Sequence, residues 1–291
     1  MSGRLKRLGT WNGSNVFAAR KASQKPVAPH SSLVAVQENP SRLHAPVQTT
    51  RPLLVTSLGT LAYAEALDIQ RAAARARIDG SLPNDLLLLV EHPPVITTGR
   101  STKPAHLLLA PDALAARGVE LFDVDRGGDV TFHGPGQLVG YPIVDLRDHK
   151  EDLHWYLRQL EAALIRSLAT FDIRAERNAG LTGVWTSGRK IASIGVHARQ
   201  WVTWHGFALN VTTDLSFFDM LVPCGIVDVT MTSIEQELLR CDANVCLAPS
   251  PALADEAREA VIDGLAETFA WAPREYSIDA LRARIADIAR T

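Results

Sequence analysis

Val184-Trp185-Thr186-Ser187-Gly188-Arg189-Lys190-Ile191-Ala192-Ser193-Ile194-Gly195-Val196 is the stretch whose reading decides the fold. Apolar runs bracket the polar turn Thr186-Ser187-Gly188-Arg189, the pattern of a β-hairpin. Elsewhere strands and helices are interleaved, as in α/β chains. A hairpin cannot belong to a purely parallel sheet, so the expected class is α/β of the α+β type, a mixed β-sheet flanked by helices.

Working outward, Leu53-Leu54-Val55 reads as a short strand. A helix follows through Tyr63, Leu67, Ile69 and an Ala-rich stretch to about Ile78, ended by Gly80. Leu86 to Val90 is a buried strand, and His92-Pro93-Pro94 forces an extended exit before Val95-Ile96-Thr97-Thr98. Pro111 to Arg117 forms a short helix stopped by Gly118, and Val119 to Val124 alternates as a strand. The clearest helix spans Leu153 to Thr170, with Leu153, Tyr156, Leu157, Leu160, Leu164 and Leu168 on one face. Trp201 to Val211 is a further strand. Thr232 and Ser233 stand before Glu235 and Gln236 at capping-box spacing, opening a helix to about Leu239. Ala252 to Phe269 and Ile278 to Ala289 are two amphipathic helices.

Residues 1–50 differ in kind. They carry Arg4, Lys6, Arg7, Arg20, Lys21, Lys25 and Arg42 against one acid, Glu38, with no sustained apolar period. Such a segment buries too little surface to offset its ordering entropy and reads as a disordered basic arm. Residues 51–291 then form a single catalytic domain. The chain has 291 residues, 46% hydrophobic and 21% charged, with a formal net charge of −2. That balance gives no pull toward nucleic acid or an anionic membrane, and no apolar run reaches the roughly 18 residues of a membrane span. Cys224, Cys241 and Cys246 are too few and too irregular for a disulfide framework, which points to a reducing compartment, the cytoplasm. A mitochondrial or plastid location is the alternative if the arm is a transit peptide.

Three segments concentrate unusual residues. Arg126-Gly127-Gly128-Asp129-Val130-Thr131-Phe132-His133-Gly134-Pro135-Gly136-Gln137 surrounds a short extended stretch with four glycines and a proline, permitting close backbone approach to a ligand. In the opening stretch, Ala192, Ser193 and Gly195 are small enough to line a channel, and Lys190 sits where turn becomes strand. In Leu221-Val222-Pro223-Cys224-Gly225-Ile226, proline fixes the approach to Cys224, and Gly225 is expected to leave the following amide open to a substrate oxygen. Cys241 and Cys246 read as inert, and with no adjacent histidine they make no metal site.

These segments, with Trp204-His205-Gly206-Phe207-Ala208-Leu209-Asn210, resemble the lipoyl(octanoyl) transferase family over roughly residues 55–245, in the expected order. The resemblance implies a fold like the catalytic domain of biotin and lipoate ligases. It implies Cys224 as acyl-accepting nucleophile and Lys190 as its partner. It also implies substrate contacts from Arg126, Gly127, Gly128, Asp129, Val130, Thr131, Phe132 and His133, from Ser193, Ile194 and Gly195, and from Gly206, Phe207 and Ala208. The implied reaction moves an octanoyl group from the phosphopantetheine of acyl carrier protein to a lysine of a lipoyl domain. The acceptors would be 2-oxoacid dehydrogenase complexes and glycine cleavage H protein, with no cofactor and no ATP.

The chemistry suits these residue types. A free thiol is mostly protonated at neutral pH, and a neighbouring ammonium favours the thiolate. The same lysine can take a proton from the acceptor amine. Each buried CH₂ of an acyl chain contributes about 0.8 kcal/mol, enough in sum to hold eight carbons in an apolar slot. His133 is open to two readings, an orienting contact to the thioester or a hydrogen-bonded structural histidine. Three rivals stand beside the transferase: an ATP-using ligase of the same architecture, a Cys-His hydrolase built on His133 or His205, and a non-catalytic binder of carrier domains.

Overall fold

A computed structural model describes residues 51–226, 229–240 and 252–288. The arm at 1–50, Cys241 and Cys246 lie outside the described residues. In chain order the elements are β1 (Arg51–Thr60), α1 (Tyr63–Ile78), β2 (Asp85–Glu91), β3 (Val95–Thr98), α2 (Pro111–Ala115), β4 (Glu120–Asp123), β5 (Thr131–His133) and β6 (Gln137–Ile143). Then follow α3 (Leu153–Ala169), β7 (Val184–Thr186), β8 (Arg189–Arg199), β9 (Val202–Asn210), α4 (Ile234–Arg240), α5 (Leu253–Phe269), β10 (Trp271–Glu275) and α6 (Ile278–Ile288).

The main sheet has seven strands in the order β10-β1-β2-β6-β9-β8-β7. β1 pairs parallel with β10 and β2, and the remaining neighbours pair antiparallel, so the sheet is mixed as expected. The expected hairpin joins β7 to β8 through Ser187 and Gly188, both at positive φ (46° and 77°), the two-residue turn whose twist matches its strands. The period-two pattern of β2 splits its side chains between two cores. Leu87 and Leu89 pack with Tyr156, Leu160 and Leu164 of α3 and Val261 and Leu265 of α5, while Leu86 and Leu88 pack with the alanines of α1. Leu153, expected on the buried face of α3, instead lies half out of the protein in the first helical turn. A cap explains the helix start better: Asp152 accepts the Trp155 N–H at 3.0 Å.

A second, three-stranded sheet in the order β4-β3-β5 lies outside what the sequence patterns suggested. So do β6, at the centre of the main sheet, and β10 on its edge. Gly140 and Pro142 mask β6, because both residues argue against a central strand. Each has a structural reason there. Thr203 Oγ1 donates to the Pro142 carbonyl (2.9 Å) and accepts from Val144 N–H (3.1 Å), splicing the ladder beside the proline. Gly140 makes room for the Phe207 ring, and Gly206 for the Gly140 carbonyl oxygen; a methyl on either glycine would overlap its neighbour. Strands β6 and β9 thus approach closely beneath the cavity described next. Gly206→Ala should cost about 1–3 kcal/mol of stability, as overpacking of a filled interior does. Urea unfolding of the variant against the parent chain measures it.

Candidate active site

A cavity of about 220 Å³ lies against β6, β8 and β9, with the 126–133 segment on its other side. Ser193 and Ala208 face each other across the β8–β9 ladder, as do Gly195 and Gly206, and all four line the cavity with Ile194 and Phe207. From the glycine-rich segment Arg126, Gly128, Asp129, Thr131 and His133 line it. Gly127, Val130 and Phe132, expected with them to contact substrate, are not among the lining residues. The alternation of β5 explains part of this: Phe132 turns the other way and stacks on Phe217 with ring centroids 4.7 Å apart. Gly127 donates its N–H to Val196 O (2.9 Å), tying the segment to β8, and Val130 offers its carbonyl to the turn that holds Cys224.

That turn, Pro223–Gly225, holds Cys224 at φ 56°, ψ 19°, in the left-handed region. A non-glycine residue there is strained and must be held by its surroundings. Cys224 N–H donates to Val130 O (3.1 Å), Gly225 N–H to Val222 O (2.9 Å) and Ile226 N–H to Pro223 O (3.1 Å). All three amides are therefore engaged, so the expectation of an open amide after Gly225 does not hold.

Lys190, at the start of β8, is fully buried. Its backbone is clamped by Lys190 N–H to Thr230 O (2.8 Å) and Thr232 N–H to Lys190 O (2.9 Å). Its Nζ donates to Cys224 Sγ at 2.8 Å and lies 5.2 Å from the centre of the Trp185 ring. Among the described residues no carboxylate pairs with it. A buried ammonium requires compensation, and the sulfur is the group placed to supply it. The two residues, 34 positions apart in the chain, are brought into contact.

The rest of the wall is polar and carries two charged side chains, Arg126 and Asp129. Burial first, then the charge His92 would carry, pushes His133 down to about 3, while its Nδ1 donates to Gln137 Oε1 at 2.8 Å. His133 is thus hydrogen-bonded within the fold and also lines the cavity. His92, pushed down to about 4 by burial, donates from Nδ1 to Leu61 O (2.7 Å), so its Nε2 accepts from the Tyr141 hydroxyl (2.7 Å). Tyr63 stacks on His133 at 6.0 Å, and burial pushes its hydroxyl up to about 12. Arg126 is held by Thr97, through its carbonyl (2.8 Å) and Oγ1 (2.8 Å), and has no carboxylate partner among the described residues. His205 sits at φ 56° with Nε2 2.9 Å from Asp125 Oδ1. That bond leads the causes holding the Asp125 carboxyl below its ordinary range. No sequence pattern marked Tyr63, His92, Asp125 or Tyr141, because each reads as an ordinary core or turn position.

Fold and cavity together define the class: an α/β domain of the lipoate-ligase type, carrying a thiol and an ammonium beside its ligand cavity. Residues 62–247 match the family model of the lipoyl protein ligase A/B catalytic domain. An octanoyltransferase of Chloroflexus aurantiacus is 49% identical over 227 residues, covering 77% of this chain and 97% of that protein. One of Acidobacterium capsulatum is 51% identical over 195 residues, 62% of this chain and 79% of that protein. Among solved structures, the bipartite lipoate protein ligase of Thermoplasma acidophilum shares the fold, with a TM-score of 0.60 at 19% identity over 83% of this chain and 92% of that one. The chain belongs to the lipoyl protein ligase A/B catalytic-domain family and is an acyltransferase within it.

Two outcomes follow from the geometry. Lys190→Met removes the ammonium, so alkylation of Cys224 by iodoacetamide at neutral pH should slow by roughly tenfold or more, read by intact mass against time. His133 stays neutral in the fold down to about pH 3, whereas an unfolded histidine takes up its proton near 6.5. The unfolded chain binds more protons between those values, so stability is present above pH 6.5 and is lost as the pH falls through that window. Urea midpoints at pH 7 and pH 5 should therefore differ less in His133→Gln than in the parent chain.

Proposed function

We propose that the protein transfers an octanoyl group from the phosphopantetheine thioester of acyl carrier protein to the lysine of a lipoyl domain, through a thioester on Cys224. The observation that carries this reading is the 2.8 Å contact of the buried Lys190 Nζ with Cys224 Sγ at the cavity. In the ammonium–thiolate form the sulfur attacks the donor carbonyl. The pantetheine sulfur leaves and takes a proton from Lys190, which becomes an amine. The acceptor arrives as an ammonium, because an ordinary lysine titrates near about 10.4. It gives one proton to Lys190 and, on becoming an amide, one to water. Cys224 departs as a thiolate beside the restored ammonium. With the amides of the Cys224 turn engaged, the Lys190 ammonium, in contact with Cys224 Sγ, also serves in this scheme as a donor for the oxyanion of each tetrahedral intermediate.

Thioester exchange is nearly isoenergetic and amide formation is downhill, so the scheme uses no ATP. The octanoyltransferase relatives favour this reading over an ATP-using ligase of the same fold. Lipoyl domains of 2-oxoacid dehydrogenase complexes and glycine cleavage H protein are the proposed acceptors.

Intact-mass analysis after incubation with octanoyl carrier protein tests the scheme. The parent chain should gain one octanoyl group and Cys224→Ala none. Modification of a lipoyl domain from ATP and free octanoate, without carrier protein, would replace the scheme with a ligase. Release of free octanoate while a lipoyl domain is present would replace it with a hydrolase.

A further inference from the structure

Asp129 is the sole carboxylate among the described residues lining the cavity, and it is 9% exposed. Its Oδ1 accepts the Val130 N–H at 2.7 Å, and its Oδ2 accepts from His106 Nδ1 at 2.6 Å. No lysine or arginine pairs with it among the described residues. His106 is anchored to the nucleophile turn, since its carbonyl accepts the Val222 N–H at 2.8 Å. Gly225, at φ 67°, packs against both groups. A methyl there would overlap Asp129 Oδ2 and stand 2.8 Å from His106 Cε1. The carboxylate therefore lies against the backbone of the residue that follows the nucleophile, with no side chain between.

Charge gives this placement a meaning. The site already holds Arg126 and Lys190, two buried cations without carboxylate partners among the described residues. The acceptor brings a third positive charge, which must shed water to reach the thioester. A cationic nucleophile approaching Cys224 is repelled unless an anion receives it, and Asp129 is the carboxylate in place. Resting on the reading above, we infer that Asp129 docks the acceptor ammonium and that His106 is the positioning residue that fixes its carboxylate. The pair selects a primary alkylammonium over neutral nucleophiles. It changes no bond itself; the two protons of the acceptor go to Lys190 and to water as before.

The test uses the full chain loaded with octanoyl on Cys224 and discharged either by a lipoyl domain or by hydroxylamine, which is uncharged at neutral pH. Asp129→Asn should slow discharge to the lipoyl domain by about tenfold to a hundredfold, the worth of one charge-assisted hydrogen bond, with the loss mainly in KM. Discharge to hydroxylamine should fall far less than discharge to the lipoyl domain. His106→Phe should show the same selective loss to a smaller degree, and His106→Asn, which keeps a donor, should recover part of it. Equal losses for both nucleophiles, or an Asp129→Asn chain that no longer loads octanoyl, would assign the pair to holding the nucleophile turn and overturn the inference. So would an undiminished rate with the lipoyl domain. A parent chain that never loads octanoyl would instead bring down the thioester scheme, and this inference with it.

Discussion

A positive charge sealed inside the protein with sulfur as its nearest polar partner is the constraint around which the rest is arranged. Lys190 is fully buried, and its Nζ meets Cys224 Sγ at 2.8 Å. Burying an unpaired ammonium is costly, and replacing its partner by water is impossible where water cannot enter. The fold meets this by fixing both backbones. Lys190 is held between Thr230 and Thr232, and Cys224 hangs from Val130 in a left-handed turn. Neither clamp belongs to the main-sheet ladder alone. They tie β8 to the segment after Cys224, and Cys224 to the segment that leads into β5.

The electrostatics of the remaining wall follow the same logic with the opposite outcome. His92 and His133 are kept neutral by burial, and the Tyr63 and Tyr141 hydroxyls are pushed up for the same reason. The hydrogen bonds of Tyr141 to His92, and of His133 to Gln137, satisfy His92, His133 and Tyr141 without charge. Neutral, hydrogen-bonded groups such as His133 and Tyr141 can lie beside an acyl chain at small cost, and Arg126 and Asp129 are left as the charged side chains of the lining among the described residues.

What was legible in the sequence divides along physical lines. Local patterns carried the elements whose causes are local: the Ser187-Gly188 hairpin, the α3 stripe and the apolar run of β2. They failed for β6, because Gly140 and Pro142 are explained only by Phe207 and Thr203, more than sixty residues away. They failed for β10, whose Pro273 is tolerable because β10 has a single neighbour, β1, in the sheet. The Cys224–Lys190 pair came from family resemblance, since no spacing rule joins residues 34 apart on different elements. Inside the glycine-rich run, strand alternation sends the Phe132 ring to the core, against Phe217, while its neighbours Thr131 and His133 line the cavity.

The strained turn also narrows what Lys190 must do. A cysteine at the start of a helix could borrow free amides to receive an oxyanion, but the amides of residues 224–226 are all spent within the turn and its support. In the proposed scheme, counter-ion to the thiolate, proton source for the leaving sulfur and donor to the oxyanion converge on one Nζ with three hydrogens. Arginine would keep the charge and the donors but could not surrender a proton, since a guanidinium stays protonated in proteins. Methionine would keep the volume and nothing else. Under the proposed scheme the position therefore calls for lysine, because the amides of the Cys224 turn are already engaged.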